Sequence, residues 1–136
     1  MGKLHLEVVT PEKVMVSQEV DIVVAPGSLG EFGVLEGHVP FLSGIMPGEL
    51  RYSSGGQTER FVVTTGFAEV SDNRVSVLVE AAEKAAEIDV ERARKAMERA
   101  KERLAKERTA GDIDFLRAEA ALKRAIVRIR VAEKKA

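Results

Sequence analysis

The stretch Val75-Ser76-Val77-Leu78-Val79-Glu80-Ala81-Ala82-Glu83-Lys84-Ala85-Ala86-Glu87-Ile88-Asp89-Val90-Glu91-Arg92-Ala93 changes character partway along. It opens with β-branched residues at alternate positions, the period of a strand with one buried face. It closes with alanine interleaved with Glu and Arg, the composition of a helix. Ten of the eleven glycines and all four prolines lie before residue 81, and most of the Ala, Arg, Lys and Glu lies after it. The expected fold is therefore α+β. Residues 1–84 form a β-sandwich or flattened barrel, and residues 85–136 form an antiparallel two-helix hairpin.

Upstream of the switch, short apolar runs alternate with turn residues. Leu4, Leu6 and Val8 alternate with His5, Glu7 and Val9. Val14 to Val16 follow the turn Thr10-Pro11-Glu12, and Val20 to Ala25 is a near-continuous run that Pro26-Gly27 is expected to end. Further strands are expected at residues 32–35, 41–45, 49–52, 60–65, 67–70 and 75–79. Ser54-Gly55-Gly56 and Ser71-Asp72-Asn73 read as hairpin turns.

Downstream, Val90, Ala93, Met97, Ala100 and Leu104 step by three and four, and so do Phe115, Ala118, Leu122, Ala125, Ile129 and Ala132. Both are heptad-like seams. Asp89 suits the N-cap of the first helix. Gly111 suits a C-cap, and Asp112 or Asp114 the N-cap of the second. Helices of about 18 and 22 residues span about 27 and 33 Å, and a short loop between them requires an antiparallel hairpin. The seams are rich in alanine, which lets backbones approach but buries little apolar area. Such a hairpin is expected to dock on something else, as a conformational switch requires.

Composition narrows the function. Over 136 residues, 45% are hydrophobic and 32% charged, the balance of a folded globular chain. A net charge of −1 provides no field to attract nucleic acid or anionic lipid. The absence of cysteine excludes disulfides and thiolate chemistry, and with no tryptophan and 4% aromatics base-stacking platforms are not expected. No run approaches the length of a membrane span, and Met1 to His5 is not followed by the apolar core of a signal peptide. The chain reads as cytosolic, with any membrane association supplied by a partner. His5 and His38 have no neighbours at metal-ligand spacing, and no nucleophile elbow, Walker loop or dinucleotide fingerprint is present. The glycines between Pro26 and Gly33 lack the following helix that a phosphate cradle needs.

The arginines carry more. Arg92 and Arg99 lie seven residues apart on the first helix, and Arg124 and Arg128 four apart on the second. If these faces converge in the hairpin, four guanidinium groups form a site for a polyanion such as triphosphate. The competing reading is a solvated helix face in which Glu91, Glu98, Glu102 and Glu119 neutralise them.

The segment Pro26 to Pro40, then Pro47-Gly48-Glu49-Leu50, Thr65-Gly66-Phe67-Ala68-Glu69-Val70, and Asp112-Ile113-Asp114-Phe115 through Arg130-Val131-Ala132-Glu133, resemble the epsilon subunit of bacterial and chloroplast F-type ATP synthases in order and spacing. The resemblance runs from Leu4 to Glu133. Glu36 departs from it, standing where the family commonly has proline before the Gly-His pair, which implies a different loop on the same fold. The resemblance implies a non-catalytic rotor-stalk subunit that couples proton flow to ATP synthesis. It also implies a peripheral position on the cytoplasmic face of the bacterial plasma membrane, without insertion. Its sandwich would sit on the gamma subunit and the c-ring, with Glu31 and His38 at the interface. Its hairpin would fold against the sandwich, or extend into the alpha/beta catalytic head and suppress ATP hydrolysis. There the basic second helix, with Lys123, Arg124, Arg128 and Arg130, would meet acidic surfaces.

The segment Ile88-Asp89-Val90-Glu91-Arg92-Ala93 also matches the motif of family members that bind ATP in the folded form. By resemblance Ile88, Asp89 and Ala93 hold the adenine, and Arg92, Arg99, Arg124 and Arg128 the phosphates, with Glu83 at the matching position upstream. No cofactor is required; ATP would be a regulatory ligand. The alternatives are a stand-alone nucleotide-binding module and a structural adaptor whose hairpin is a dimerisation arm.

Overall fold

The computed structural model describes residues 4–106 and 112–134, with side chains described for 4–105 and 116–134. Ten strands come first: β1 (Leu4–Val9), β2 (Val14–Val20), β3 (Ile22–Gly27), β4 (Gly30–Val34), β5 (Phe41–Ile45), β6 (Gly48–Ser54), β7 (Gln57–Val63), β8 (Gly66–Ser71), β9 (Arg74–Val79) and β10 (Ala82–Lys84). A single 3₁₀ turn (Ala85–Glu87) then leads to α1 (Val90–Lys106) and α2 (Asp112–Glu133). The α+β expectation holds: a nearly closed β-sandwich precedes two helices. One compact unit runs through Lys84 and a second begins at Ala85.

In the first unit the strand order is β10-β7-β6-β3-β5-β8-β9-β1-β2, with β4 branching off β3. The pairings are antiparallel except β1 with β9, which is parallel. Alternation sets which face is buried. Leu4, Leu6 and Val8 point inward while His5, Glu7 and Val9 are half-buried on the other side. Val23, Ile45, Leu50, Phe61, Val63, Val70, Val75 and Val77 meet them from the remaining strands in one core. The two expected hairpin turns are present, and both need left-handed backbone. Gly55 and Gly56 have φ of 59° and 81°, and Asp72 and Asn73 have φ of 49° and 59°. Two consecutive positive φ values define the turn whose twist matches the flanking strands.

The run Val20 to Ala25 is not one strand. Asp21 breaks it: its N–H donates to the Ser53 carbonyl at 2.8 Å and its Oδ2 accepts from the Gly55 N–H at 3.1 Å. The chain thereby leaves its pairing with β1 and joins β6 through β3. Pro26-Gly27 ends β3 from within, as its last two paired residues. Pro26 stays in register with Glu31 on β4, and its carbonyl accepts from the Met46 N–H at 2.9 Å. The short β10 and the 3₁₀ turn have too little periodicity to be read from sequence.

In the second unit α1 and α2 pack against each other. Five residues join them, reaching at most about 20 Å, less than the length of α1, about 25 Å. Packed helices so joined can only be antiparallel. The buried residues on the helices are the small members of the expected seams, Ala93 and Ala100 on α1 and Ala118, Ala125 and Ala132 on α2, together with Val131, which stands outside the seam. Val90, Met97, Leu104, Leu122 and Ile129 flank them half-buried. Gly111 and the side chains of Asp112, Asp114 and Phe115 lie outside the described residues.

Gly66 is the tightest point of the sheet. A Cβ there would collide with the Leu78 carbonyl and sit 2.8 Å from the Val79 Cα, both backbone atoms that cannot rotate away. Gly66→Ala should lower unfolding stability by about 3 kcal/mol in urea titration. Gly33→Ala, whose new methyl meets nothing nearer than 3.9 Å, should change it by less than about 1 kcal/mol.

Candidate functional site

Asp89 opens α1 as expected. Its Oδ1 accepts the Arg92 backbone N–H at 3.1 Å, and its carbonyl accepts the Ala93 N–H at 3.0 Å. This is an N-cap, and it sets the direction in which Arg92 leaves the helix. Just before it, Ile88 is buried and its N–H donates to the Ala85 carbonyl at 3.2 Å. The 3₁₀ turn just before Ile88 packs on α2. Ala93 is fully buried in the seam.

The helical period fixes where the arginines point. At 100° per residue, Arg92 and Arg99 lie about 120–140° to one side of the α1 seam, and Arg124 and Arg128 about 80–120° to the same rotational side of the α2 seam. In antiparallel helices, equal rotation on both brings side chains to a common flank. The opposite flank agrees: a groove there is lined by Arg94 and Glu98 from α1 and by Ile126, Arg130 and Glu133 from α2. The groove brings Met97 and Glu98 together with Ile126 and Ile129, so Arg99 falls at the level of Arg124 and Arg128. The fold therefore collects the four arginines on one flank of the hairpin. Arg92, Arg99 and Arg124 are exposed there, and Arg128 is half-buried.

Three of the four carboxylates of the competing reading pair with other cations. Glu91 pairs with Arg94 at 3.2 Å, Glu98 with Lys101 at 3.9 Å, and Glu119 with Lys123 at 3.7 Å. Among the described residues, Arg92, Arg99 and Arg124 have no carboxylate partner. Glu83 sits apart from this group in the chain, on β10 of the first unit, opposite Val62 of β7.

Glu31 and His38 belong to the sandwich. Glu31 lies on β4, and both of its carboxylate oxygens accept from the Arg51 guanidinium, at 3.0 and 3.2 Å. Arg51 also donates to Glu49 Oε1, which takes a further bond from Arg60 Nη1. The hydrogen bonds to Glu31 raise Arg51 above its ordinary pKa, ahead of the opposing effect of burial. His38 is half-buried. Its Nδ1 lies 2.7 Å from the Val39 carbonyl, and its ring stands edge-on to Phe41 at 5.7 Å. Phe41 in turn meets Phe32 at 5.1 Å. Exposed apolar side chains surround this region: Leu29, Leu35, Val39, Leu42 and Met46. The Arg51–Glu31 pair was not legible in sequence, because its members lie twenty residues apart on strands separated by β3.

A second unforeseen group joins β1 and β2. His5 Nδ1 lies 2.9 Å from Glu19 Oε1, and His5 Nε2 lies 3.4 Å from Ser17 Oγ. The order Ser-His-Glu is that of a nucleophilic triad. The Ser–His distance exceeds the reach of an activated nucleophile, however, and Ser17 is exposed on a sheet face. The group is a surface hydrogen-bond chain. Among the described residues no cluster of His, Asp and Glu fits a metal ion, and no helix is long and apolar enough to cross a membrane.

Two family models together span nearly the whole chain. Residues 3–85 match the β-sandwich domain of the ATP synthase delta/epsilon chain, and residues 86–133 match its long α-helix domain. The chain belongs to the delta/epsilon chain family of ATP synthase. It is 55% identical to the ATP synthase epsilon chain of Nitratidesulfovibrio vulgaris (strain DP4), over 94% of each chain. It is 54% identical to that of Syntrophobacter fumaroxidans, over 97% of each. Among solved structures it resembles a chain in the OSCP/F1/c-ring structure of the Euglena gracilis mitochondrial ATP synthase. There the TM-score is 0.82 and the identity 27%, over 93% of this chain and 79% of that one.

The cap separates local folding from ligand contact. Asp89→Ala should destabilise the first turn of α1 by about 1 kcal/mol, read as faster hydrogen exchange at the Arg92 amide. Asp89→Asn, which keeps an accepting oxygen, should leave that exchange close to the parent's.

Proposed function

We propose that this chain is a central-stalk subunit of an F-type ATP synthase whose hairpin binds ATP and restrains ATP hydrolysis. The observation that carries the nucleotide part is the flank on which Arg92, Arg99, Arg124 and Arg128 gather, three of them with no carboxylate partner among the described residues. Guanidinium groups bind phosphate oxygens through paired, charge-assisted hydrogen bonds, and several on one flank suit a triphosphate better than a monophosphate. The adenine role of Ile88 and Ala93 comes from the resemblance; both are buried beside the capped turn, where Asp89 orients Arg92. Glu83 completes the set by resemblance.

ATP acts by differential affinity. It favours the hairpin conformation that keeps the four arginines together, and it loses contacts in any conformation that separates them. When ATP is scarce the basic second helix is released to meet acidic surfaces of the alpha/beta head, where it opposes rotation. The sandwich holds the chain to the gamma subunit and the c-ring through the end that carries Glu31 and His38. Exposed apolar side chains beside fixed charges are the usual anatomy of such a contact. The chain then works at the membrane surface without entering it, on the cytoplasmic face.

Calorimetric titration of the isolated chain should show saturable ATP binding that is stronger than ADP binding. Arg92→Ala should weaken it about tenfold, the loss of one charge-assisted phosphate contact. Absence of saturation up to millimolar ATP would remove the nucleotide reading and leave the arginines as a protein-contact face. Reconstituting the catalytic head with a chain ending at Glu87 should raise ATP hydrolysis over the full-length chain. Unchanged hydrolysis would remove the inhibitory role.

A further inference from the structure

Glu31 stands at a place with little to hold it. β4 pairs only with β3 in the strand order, and the turn before it carries Leu29, which is 101% exposed, and Gly30 at φ 123°. Its carboxylate is nonetheless held by two nitrogens of one guanidinium. Arg51 achieves this from β6. Glu31 is in register with Pro26 on β3, and Arg51 is in register with Val24, so the pair reaches across a whole strand, about 10 Å in two strand spacings. The far end of the bridge is anchored as well. Glu49 lies on β6 beside Arg51, its side chain only 10% exposed, and it accepts from both Arg51 and Arg60 on β7. Glu31, Arg51, Glu49 and Arg60 thus form a charge-balanced row across four strands.

We infer that Arg51 is a positioning residue for the partner contact of the sandwich: it presents Glu31 as one half of a preformed, neutral, bidentate pair rather than as a free carboxylate. The inference rests on the reading of Glu31 as an interface residue and adds how that residue works. A glutamate alone on an exposed ribbon samples several rotamers and carries a hydration shell, and a partner must restrict the one and strip the other. The Arg51 fork does both in advance. Donors of the partner then meet a carboxylate already held in one orientation, with no cation required of the partner. The exposed apolar side chains of Leu29, two residues before it, and of Met46, whose N–H bonds the carbonyl of Pro26 opposite Glu31, can exclude water around such bonds. Lysine cannot substitute fully, because an ammonium meets the carboxylate at one point and leaves it free to rotate.

The test measures the affinity of the full chain for its cognate gamma subunit assembled on the c-ring. E31Q should weaken binding about tenfold, and R51Q about fivefold. The double variant E31Q/R51Q should bind no more weakly than E31Q, because each change removes the same preformed unit. R51Q, which bares the Glu31 charge, should make the affinity more sensitive to salt than the parent's. R51K, which keeps the charge and the aliphatic stem, should fall between R51Q and the parent, and it replaces R51Q in the cycle if R51Q does not fold. Parent-like affinity of the Arg51 variants beside a weakened E31Q would overturn the inference and leave Glu31 at the interface. Additive losses in the double variant would overturn it too. Parent-like binding of E31Q would remove the interface role of Glu31 and the inference with it.

Discussion

Alanine against alanine is the contact on which the hairpin depends. Ala93 and Ala100 of α1 and Ala118, Ala125 and Ala132 of α2 vanish from solvent, as does Val131 off the seam, while the larger seam side chains Val90, Met97, Leu104, Leu122 and Ile129 stay half-exposed. Small side chains allow close approach of the two helices. They also bury few carbons, at about 0.8 kcal/mol per CH₂. Two helices held this way are ordered relative to each other only as firmly as a modest burial permits. A ligand that bridges both can then change their preference with a few well-placed bonds. On the proposed reading, the arginine flank is where such a ligand binds. It draws from α1 and α2 alike, so its integrity reports on the pairing of the helices.

The sandwich works by the opposite principle. Its core is filled by Val, Leu, Ile and Phe from nearly every strand, and its turns are locked by consecutive positive φ angles. Gly66, pressed against the β9 backbone, leaves no tolerance for an added methyl. On this rigid frame a row of alternating charges can be held in register across β4, β3, β6 and β7. The densely packed platform and the lightly packed arm match the proposed division of labour, in which one part stays attached and the other rearranges.

Charge placement ties the two parts to function in different ways. On the sandwich, opposite charges are matched: Glu31 with Arg51, and Glu49 with Arg51 and Arg60. On the hairpin, the ion pairs among the described residues use Arg94, Lys101 and Lys123 and leave Arg92, Arg99 and Arg124 without a carboxylate partner there. Matched charges orient; unmatched ones of a single sign recruit. The first arrangement suits a permanent protein contact and the second a soluble polyanion.

The sequence alone determined the division into strands and helices, because periods of two and of 3.6 are written residue by residue and change near residue 81. It also determined the alanine seams, the Asp89 cap and the two tight turns, all of which are local. It showed that Arg92 and Arg99 share a face, and Arg124 and Arg128 another, since spacing within one helix settles that. Only the tertiary structure decided that the two faces turn to the same side of the hairpin, because the rotation of each helix is set by which of its residues are buried against the other. Only the tertiary structure broke the run from Val20 to Ala25 at Asp21, through hydrogen bonds to Ser53 and Gly55 that lie more than thirty residues away. The same holds for Arg51 and Glu31. Their partnership exists because β3 lies between β4 and β6, and strand order is a property of the folded sheet that no spacing along the chain records.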